Sequence, residues 1–149
     1  MKYIYFLIIS ILFLCCSTSD SQSINIIDDH YGGNYLETGI IYLNQSWTQE
    51  STGYDRPIYI SAASSNSEPH NIIIVLHGGG GNAEQFVNSF NYLDNHIVVA
   101  PQGYGGNWNV GLEQSLAPDV DFIKEIINHV RTFENVQPEN ITILGKSNG

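Results

Sequence analysis

Charged side chains are scarce in this 149-residue sequence, and basic ones are the scarcest. Asp, Glu, Lys and Arg make up only 13% of the residues, against about 25% in an average soluble protein. Fifteen acidic residues against five basic ones give a formal net charge of −10. Nucleic-acid phosphates are bound by clustered Lys and Arg side chains. Because the sequence has no such cluster, we expect no nucleic-acid partner.

Cysteines and long hydrophobic runs are also nearly absent. Cys15 and Cys16 are the only two cysteines. The chain after them therefore has no disulfide, no cysteine-containing metal site and no thiol nucleophile. The apolar run at residues 3–14 is shorter than the about 20 residues that a membrane-spanning helix needs. A transmembrane helix is therefore not expected here.

The N-terminal pattern predicts an export signal over residues 1–16. A short apolar run, preceded by a positive charge and followed by small polar residues, is typical of a signal peptide. A cysteine directly after such a run resembles a bacterial lipoprotein signal, and Cys16 is the better candidate for lipidation because the bulky Leu14 precedes Cys15. Ordinary secretion and a buried hydrophobic segment remain open as alternatives. We expect an exported protein, anchored to the membrane only through a lipid, with a polar linker over residues 17–38.

Downstream of this linker, apolar runs indicate alternating strands and helices. Runs at 46–52 and 54–61, separated by Gly53, predict an antiparallel hairpin; Pro57 restricts its second strand to a sheet edge or a strand start, because proline cannot donate a ladder hydrogen bond. The later runs predict, in chain order, a strand at 71–76, a helix at 83–93, a strand at 97–100, a helix from 118 or 119 to 133, and a strand at 141–144. This alternation predicts a parallel sheet with crossover helices.

Two glycine-rich motifs follow predicted strands. Residues 145–149 fit Gly-x-Ser-x-Gly directly after the strand at 141–144. In this motif the serine sits on a strained strand-to-helix turn, and the glycines leave room for that turn against neighbouring strands. Ser147 is therefore a candidate nucleophile. The second motif, at residues 77–81, follows the strand at 71–76 and should emerge at the same edge of a parallel sheet.

The second motif offers backbone donors for an oxyanion hole. Glycines let N–H groups approach a substrate closely, and each such donor contributes about 3–4 kcal/mol to acyl transfer. The candidate donors are the N–H groups of Gly78, Gly79, Gly80 and Asn148. A phosphate-cradling turn and a plain flexible loop remain open as alternatives, although the stretch lacks the Gly-Lys-Ser/Thr ending of a phosphate loop.

These motifs belong to an ordered set. The set is Arg56-Pro57-Ile58-Tyr59-Ile60, Leu76-His77-Gly78-Gly79-Gly80-Gly81-Asn82-Ala83, Ala100-Pro101-Gln102-Gly103, Trp108-Asn109, Asp119-Val120-Asp121-Phe122-Ile123 and Gly145-Lys146-Ser147-Asn148-Gly149. It resembles the polyhydroxybutyrate depolymerase-like esterases, secreted α/β-hydrolases related to feruloyl and acetylxylan esterases. The resemblance covers about residues 40 to 149. It implies an α/β-hydrolase three-layer sandwich, mostly parallel with an N-terminal antiparallel hairpin, of which residues 39–149 are the N-terminal part, truncated after the nucleophile.

The resemblance also implies a reaction. Ser147 would form an acyl-enzyme with an ester, helped by oxyanion N–H groups from residues 78–80 and Asn148, without metal or organic cofactor. In the family an Asp and then a His, both C-terminal to the serine, complete the catalytic triad. We expect both beyond residue 149 and expect no turnover by residues 1–149 alone. No histidine upstream of Ser147 is expected to replace the base. His77 is the one predicted at the same edge of the sheet, and the resemblance assigns it to the oxyanion loop.

The substrate that the resemblance implies is an extracellular polyester or an esterified polysaccharide. A serine peptidase of the same fold and a non-catalytic, tethered binding protein are the alternatives. Trp108 is a candidate substrate-binding residue, because it lies on a loop that leaves the active edge of the sheet; core filling is its alternative. Asp119, Asp121 and Glu125 are interpreted as helix capping and a solvated helix face rather than as a metal site.

Overall fold

The computed structural model describes residues 34–65, 67–111 and 113–149. The predicted signal at 1–16, with the lipidation candidate Cys16, lies outside the described residues. The described end of the predicted linker packs onto the domain. Leu36 is buried, and its N–H donates to the side-chain oxygen of Asn135 at 2.8 Å. The packed domain therefore begins a few residues before its first strand.

Five strands form one mixed sheet in the order β1-β2-β4-β3-β5. The strands are β1 (Gly39–Trp47), β2 (Glu50–Ser61), β3 (His70–Leu76), β4 (His96–Pro101) and β5 (Val136–Gly145). The pairings β1/β2 and β2/β4 are antiparallel, whereas β4/β3 and β3/β5 are parallel. The helices are α1 (Ala83–Asn88) and α2 (Asp119–Val130). No helix in the described part of the chain is long and apolar enough to cross a membrane.

The predicted α/β-hydrolase three-layer sandwich is wrong. The described chain forms a small five-stranded mixed sheet with only two α-helices, so strands dominate. The sheet is not mostly parallel, because β2 pairs antiparallel with both of its neighbours. The helix predicted over 83–93 ends at Asn88. The residues after it form i→i−3 bonds, such as Ser89 N–H to the Phe86 carbonyl, and these tighten the chain into turns.

The hairpin β1/β2 lies at the predicted sheet edge, but its turn is at residues 48–49 and not at Gly53. Gly53 has φ +95° and lies inside β2, where the pairing with β1 is irregular. A Cβ at this position would lie 2.5 Å from Oδ1 of Asn44. Because a glycine within a strand often marks a bulge, Gly53 marks an irregularity in β2 rather than the predicted turn.

Pro57 lies in an interior strand, which corrects the prediction of an edge or a strand start. The ladder between β2 and β4 begins one residue later, at the pair Ile58 and Pro101. The Pro57 carbonyl accepts from Gln102 N–H at 2.9 Å, and Arg56 Nη2 donates to the Gln102 carbonyl at 3.3 Å. The arginine side chain thereby satisfies an acceptor that proline, with no N–H, cannot serve.

Alternate side chains of the parallel strands face two separate cores. The core on the α2 side includes Ile72, Ile74, Ile97, Val99 and Phe122. The core on the α1 side includes Val75, Ala83, Val87, Val98 and Ala100. Continuous β-branched runs predicted strands that are covered on both faces, and the structure confirms this for β3 and β4.

A buried ion pair joins β2 to α2. Arg56 is 0% exposed, and its Nη2 lies 2.5 Å from Oδ1 of Asp119. The guanidinium also donates to Oε1 of Gln45 at 3.1 Å and lies 3.7 Å from the centre of the Phe122 ring. Burial lowers the pKa of Arg56, an effect that Asp119 opposes. Because a buried charge needs such compensation, the pair fixes the start of α2 against the sheet.

His129 gives α2 a pH-dependent contribution to stability. In the described chain its Nε2 is buried without a hydrogen-bond partner, and its ring packs edge-on against Phe133 with centroids 5.1 Å apart. Burial lowers the pKa of His129 from its usual 6.5. The His129 side chain is then protonated more readily in the unfolded chain than in the folded one. We expect this contribution to be fully present above pH 6.5 and to be lost as the pH falls through the lowered folded-state pKa.

Urea unfolding at about pH 8 and about pH 5, the limits between which histidine titrates, measures this effect. His129→Gln should lose less free energy of unfolding between the two pH values than the wild type does, because glutamine does not titrate. Equal losses in the two proteins would contradict the role given to His129.

Candidate functional site

A sharp turn, the elbow (residues 145–149), begins at the last residue of β5. Gly149 N–H donates to the Lys146 carbonyl at 3.0 Å, and Lys146 N–H donates to the Leu76 carbonyl, at the end of β3, also at 3.0 Å. Ser147 has φ +55°, a left-handed conformation that non-glycine residues rarely adopt. Strained backbone of this kind clusters at functional sites. The elbow holds Ser147 exposed at the carboxyl end of β5.

Both glycines of the elbow are required by close approach of backbone atoms. A Cβ at Gly145 would lie 2.4 Å from the Gly149 carbonyl oxygen. A Cβ at Gly149 would lie 2.4 Å from the Leu76 oxygen and 2.7 Å from the His77 oxygen. The expectation that the glycines leave room for the turn against a neighbouring strand is confirmed for Gly149, which meets the end of β3, whereas Gly145 meets the other end of the elbow.

The glycine loop (residues 77–81) lies directly against the elbow. A Cβ at Gly78 would lie 3.5 Å from Cβ of Ser147, and one at Gly79 would lie 3.6 Å from Cβ of Asn148. The parallel pairing of β3 with β5 brings the ends of both strands to one edge of the sheet. The predicted proximity of the two glycine-rich stretches is confirmed.

The candidate oxyanion donors differ in whether they already have an acceptor. Gly80 N–H donates to Oδ1 of Asn107 at 3.2 Å. Within the described chain, the N–H groups of Gly78, Gly79 and Asn148 donate to no acceptor. These three N–H groups are therefore unengaged within the described chain, whereas the N–H of Gly80 holds the loop.

A cleft of about 400 Å³ opens beside Ser147. The glycine loop and the elbow, including Lys146, form one wall. The opposite wall comes from α1 and its ends, through Asn82, Gln85, Phe86 and Ser89. Apart from the Phe86 ring, these groups are small or polar. The cleft therefore has the size and the polar lining for a small polar molecule beside the serine and the glycine loop.

His77 holds the glycine loop in place. Its Nδ1 lies 2.8 Å from the Gly78 carbonyl oxygen, and its Nε2 accepts from Gly103 N–H at 3.0 Å. Because Nε2 accepts a hydrogen bond, the ring proton is assigned to Nδ1, which donates to the Gly78 carbonyl oxygen. The side-chain nitrogen of Gln102 also lies 3.0 Å from Nε2. Because both ring nitrogens are engaged, His77 positions the loop and does not serve as a base for Ser147.

Trp108 lies in the core and not on the cleft surface. It is 4% exposed, belongs to the α2-side core, and donates from Nε1 to the His77 carbonyl at 2.9 Å. Asn148 clamps its backbone: Oδ1 accepts from Trp108 N–H at 2.7 Å, and Nδ2 donates to the Trp108 carbonyl at 3.2 Å. Of the two interpretations of Trp108 from sequence, core filling describes its observed place.

The described histidines are not placed to take a proton from Ser147. His70 begins β3 and His96 begins β4, at the end of the sheet opposite the elbow. His129 lies on α2 with an unpartnered Nε2, and His30 lies outside the described residues. If Ser147 acts as a nucleophile, none of these three described histidines is placed to be its base.

The acidic residues of α2 have separate partners. The three pairs are Asp119 with Arg56, Asp121 with Lys124, and Glu125 with Gln45. Burial raises the pKa of Glu125, and the hydrogen bond from Gln45 opposes that rise. Across residues 34–65, 67–111 and 113–149, no group of three His, Cys, Asp or Glu side chains could hold a metal ion.

The sequence analysis did not predict the contacts of two side chains near this site, those of Arg56 and Asn148. An arginine inside an apolar strand, such as Arg56, indicates a buried acid, because an unpaired buried charge is costly. The clamp made by Asn148 had no comparable signal, since loop asparagines are common.

Compared with known proteins, the chain matches no protein-family model and no curated protein sequence.

Proposed function

We propose that this protein is a serine ester hydrolase that forms an acyl-enzyme on Ser147. The observation that carries the proposal is the elbow itself. Ser147 is held at φ +55° against a glycine loop, beside three backbone N–H groups that have no acceptor in the described chain. A strained, exposed serine next to such donors is the arrangement that acyl transfer uses.

In the proposed reaction, Ser147 Oγ attacks the ester carbonyl carbon while a base takes the hydroxyl proton. The carbonyl oxygen becomes negatively charged and accepts from the N–H groups of Gly78, Gly79 and Asn148. The C–O bond to the alcohol then breaks, and the alcohol leaves with the proton. Water hydrolyses the acyl-serine by the same steps and releases the acid. The esterase resemblance implies that a His, oriented by an Asp, supplies the base.

The resemblance also carries the proposed substrates and location. The substrates are an extracellular polyester or an esterified polysaccharide, and the chemistry of a serine nucleophile needs no metal or organic cofactor. The protein is proposed to be exported and lipid-anchored at Cys16. This part of the proposal rests on the sequence pattern of residues 1–16.

Labelling with a fluorophosphonate tests the proposal, because this reagent phosphonylates activated serines. The assay uses protein expressed from its native gene, so that every residue of the natural chain is present. Peptide mass mapping should find the label on Ser147, and Ser147→Ala should abolish it. Ser89→Ala is the matched control, since Ser89 lines the same cleft, and it should keep the label.

Failure to label would overturn the esterase proposal and leave a non-catalytic binding protein. Equal labelling after Ser147→Ala would overturn the role of Ser147, because the label would lie on another residue. Unlabelled protein is then given p-nitrophenyl butyrate and a p-nitroanilide peptide in separate assays. Cleavage of the ester alone supports the proposal. Cleavage of the peptide alone would identify a peptidase.

A further inference from the structure

Lys146 places a positive charge beside the proposed nucleophile. It lines the cleft together with Ser147 and is the only Lys, Arg, Asp or Glu among the lining residues. His77 also lines the cleft, but both of its ring nitrogens are engaged by hydrogen bonds within the chain. The cleft therefore carries one cation, in a protein whose formal net charge is −10.

The other cationic side chains of the described chain are already engaged. Arg56 is buried against Asp119, Lys124 lies 3.0 Å from Asp121, and Arg131 donates from Nε to a backbone carbonyl at 2.9 Å. Within the same residues, the Lys146 ammonium makes no hydrogen bond or ion pair. Its charge is thus available to a ligand.

We propose that Lys146 makes the cleft selective for esters that carry a free carboxylate. This inference rests on the proposed function and adds a substrate class to it. Lys146 and Ser147 line the same cleft, so an ester bound at the serine shares that cleft with the lysine. No acidic side chain lines the cleft to neutralise that charge or to repel a carboxylate.

The exposure of Lys146 sets the size of its expected contribution to ligand binding. Lys146 is exposed, and exposed ion pairs contribute about 0.2–1 kcal/mol. We therefore expect a carboxylate to tighten binding about 1.4- to fivefold, which is this free energy converted to a ratio of dissociation constants. Salt should weaken this preference, because the screening length falls to about 3 Å at 1 M ionic strength.

Matched ligands test the proposal. Monomethyl succinate carries one carboxylate and one methyl ester, whereas dimethyl succinate is neutral and carries the same ester. Binding of each is measured by NMR titration of the glycine-loop amides in the Ser147→Ala background, where no acyl-enzyme forms. The ratio of the two dissociation constants is then compared after adding Lys146→Gln or Lys124→Gln. Both changes remove one positive charge, but Lys124 lies on α2 and does not line the cleft.

Lys146→Gln should abolish the preference for the monoanion, and Lys124→Gln should leave it intact. A preference that is absent in the parent, or lost equally in both variants, would overturn the proposal. Labelling of Ser147 without a charge preference would refute this inference alone. A charge preference without labelling of Ser147 would refute the esterase reaction, and with it the substrate class proposed here.

Discussion

Replacing Asp119 by alanine is expected to lower the free energy of unfolding by about 3–5 kcal/mol. The change leaves Arg56 charged and fully buried without its counter-ion. It also removes the acceptor of Asn109 N–H, which donates to Oδ2 of Asp119 at 2.5 Å. A small domain has a net stability of about 5–15 kcal/mol, so one substitution removes a large share of it. Urea denaturation followed by circular dichroism measures the loss.

The exposed pair on the same helix is the matched control. Asp121→Ala breaks the contact with Lys124, whose side chain is 66% exposed, and should change the free energy of unfolding by less than about 1 kcal/mol. Adding Arg56→Met to Asp119→Ala should recover part of the loss, because the double variant buries no charge. If Asp119→Ala were as mild as Asp121→Ala, the importance given to the buried pair would be wrong.

His77→Ala is expected to slow fluorophosphonate labelling of Ser147 about 100-fold, the effect of losing one oxyanion donor. The imidazole is the partner of Gly103 N–H and of the Gly78 carbonyl, so its removal frees the loop that carries the candidate oxyanion donors. Stability should also fall, by about 1–3 kcal/mol for each buried polar group left without a partner. Labelling rates are compared at a temperature where circular dichroism shows the variant folded.

His96→Ala is the control for histidine removal, because His96 lies at the far end of β4. It should label at the wild-type rate. A folded His77→Ala protein that also labels at the wild-type rate would show that the ring does not hold the oxyanion donors. A slow rate that Gln in place of Ala restores would assign the effect to the hydrogen bonds rather than to ring volume.

Local pattern predicted the parallel part of the sheet. The runs at 71–76, 97–100 and 141–144 lie within β3, β4 and β5. Unbroken β-branched residues favour strands that are covered on both faces. This holds for β3 and β4, but the prediction of a buried strand is wrong for β5, where Ile143 is 48% and Leu144 44% exposed. The apolar periodicity predicted α2, which runs Asp119–Val130. The predicted strands also placed the elbow and the glycine loop together, because parallel strands have their carboxyl ends at the same edge of a sheet.

The overall architecture was not predictable from those signals. The order of the motifs predicts which turns the chain contains. It does not predict how many helices cover the sheet or which strands pair with each other. Gly53 has the composition of a turn and the geometry of a bulge, and only the contact with Asn44 distinguishes them. Pro57 is tolerated in an interior strand because Arg56 serves the orphaned carbonyl, a compensation that lies outside any local window.

Residues 108 and 109 belong to no strand or helix, and side chains hold their backbone from both sides. Asn148 accepts from the first N–H and Asp119 from the second. The turn that carries the serine is thus linked, through one short segment of chain, to the ion pair beneath α2. A screen that selects this protein for thermal tolerance at Arg56 or Asp119 would therefore also select for order at the elbow.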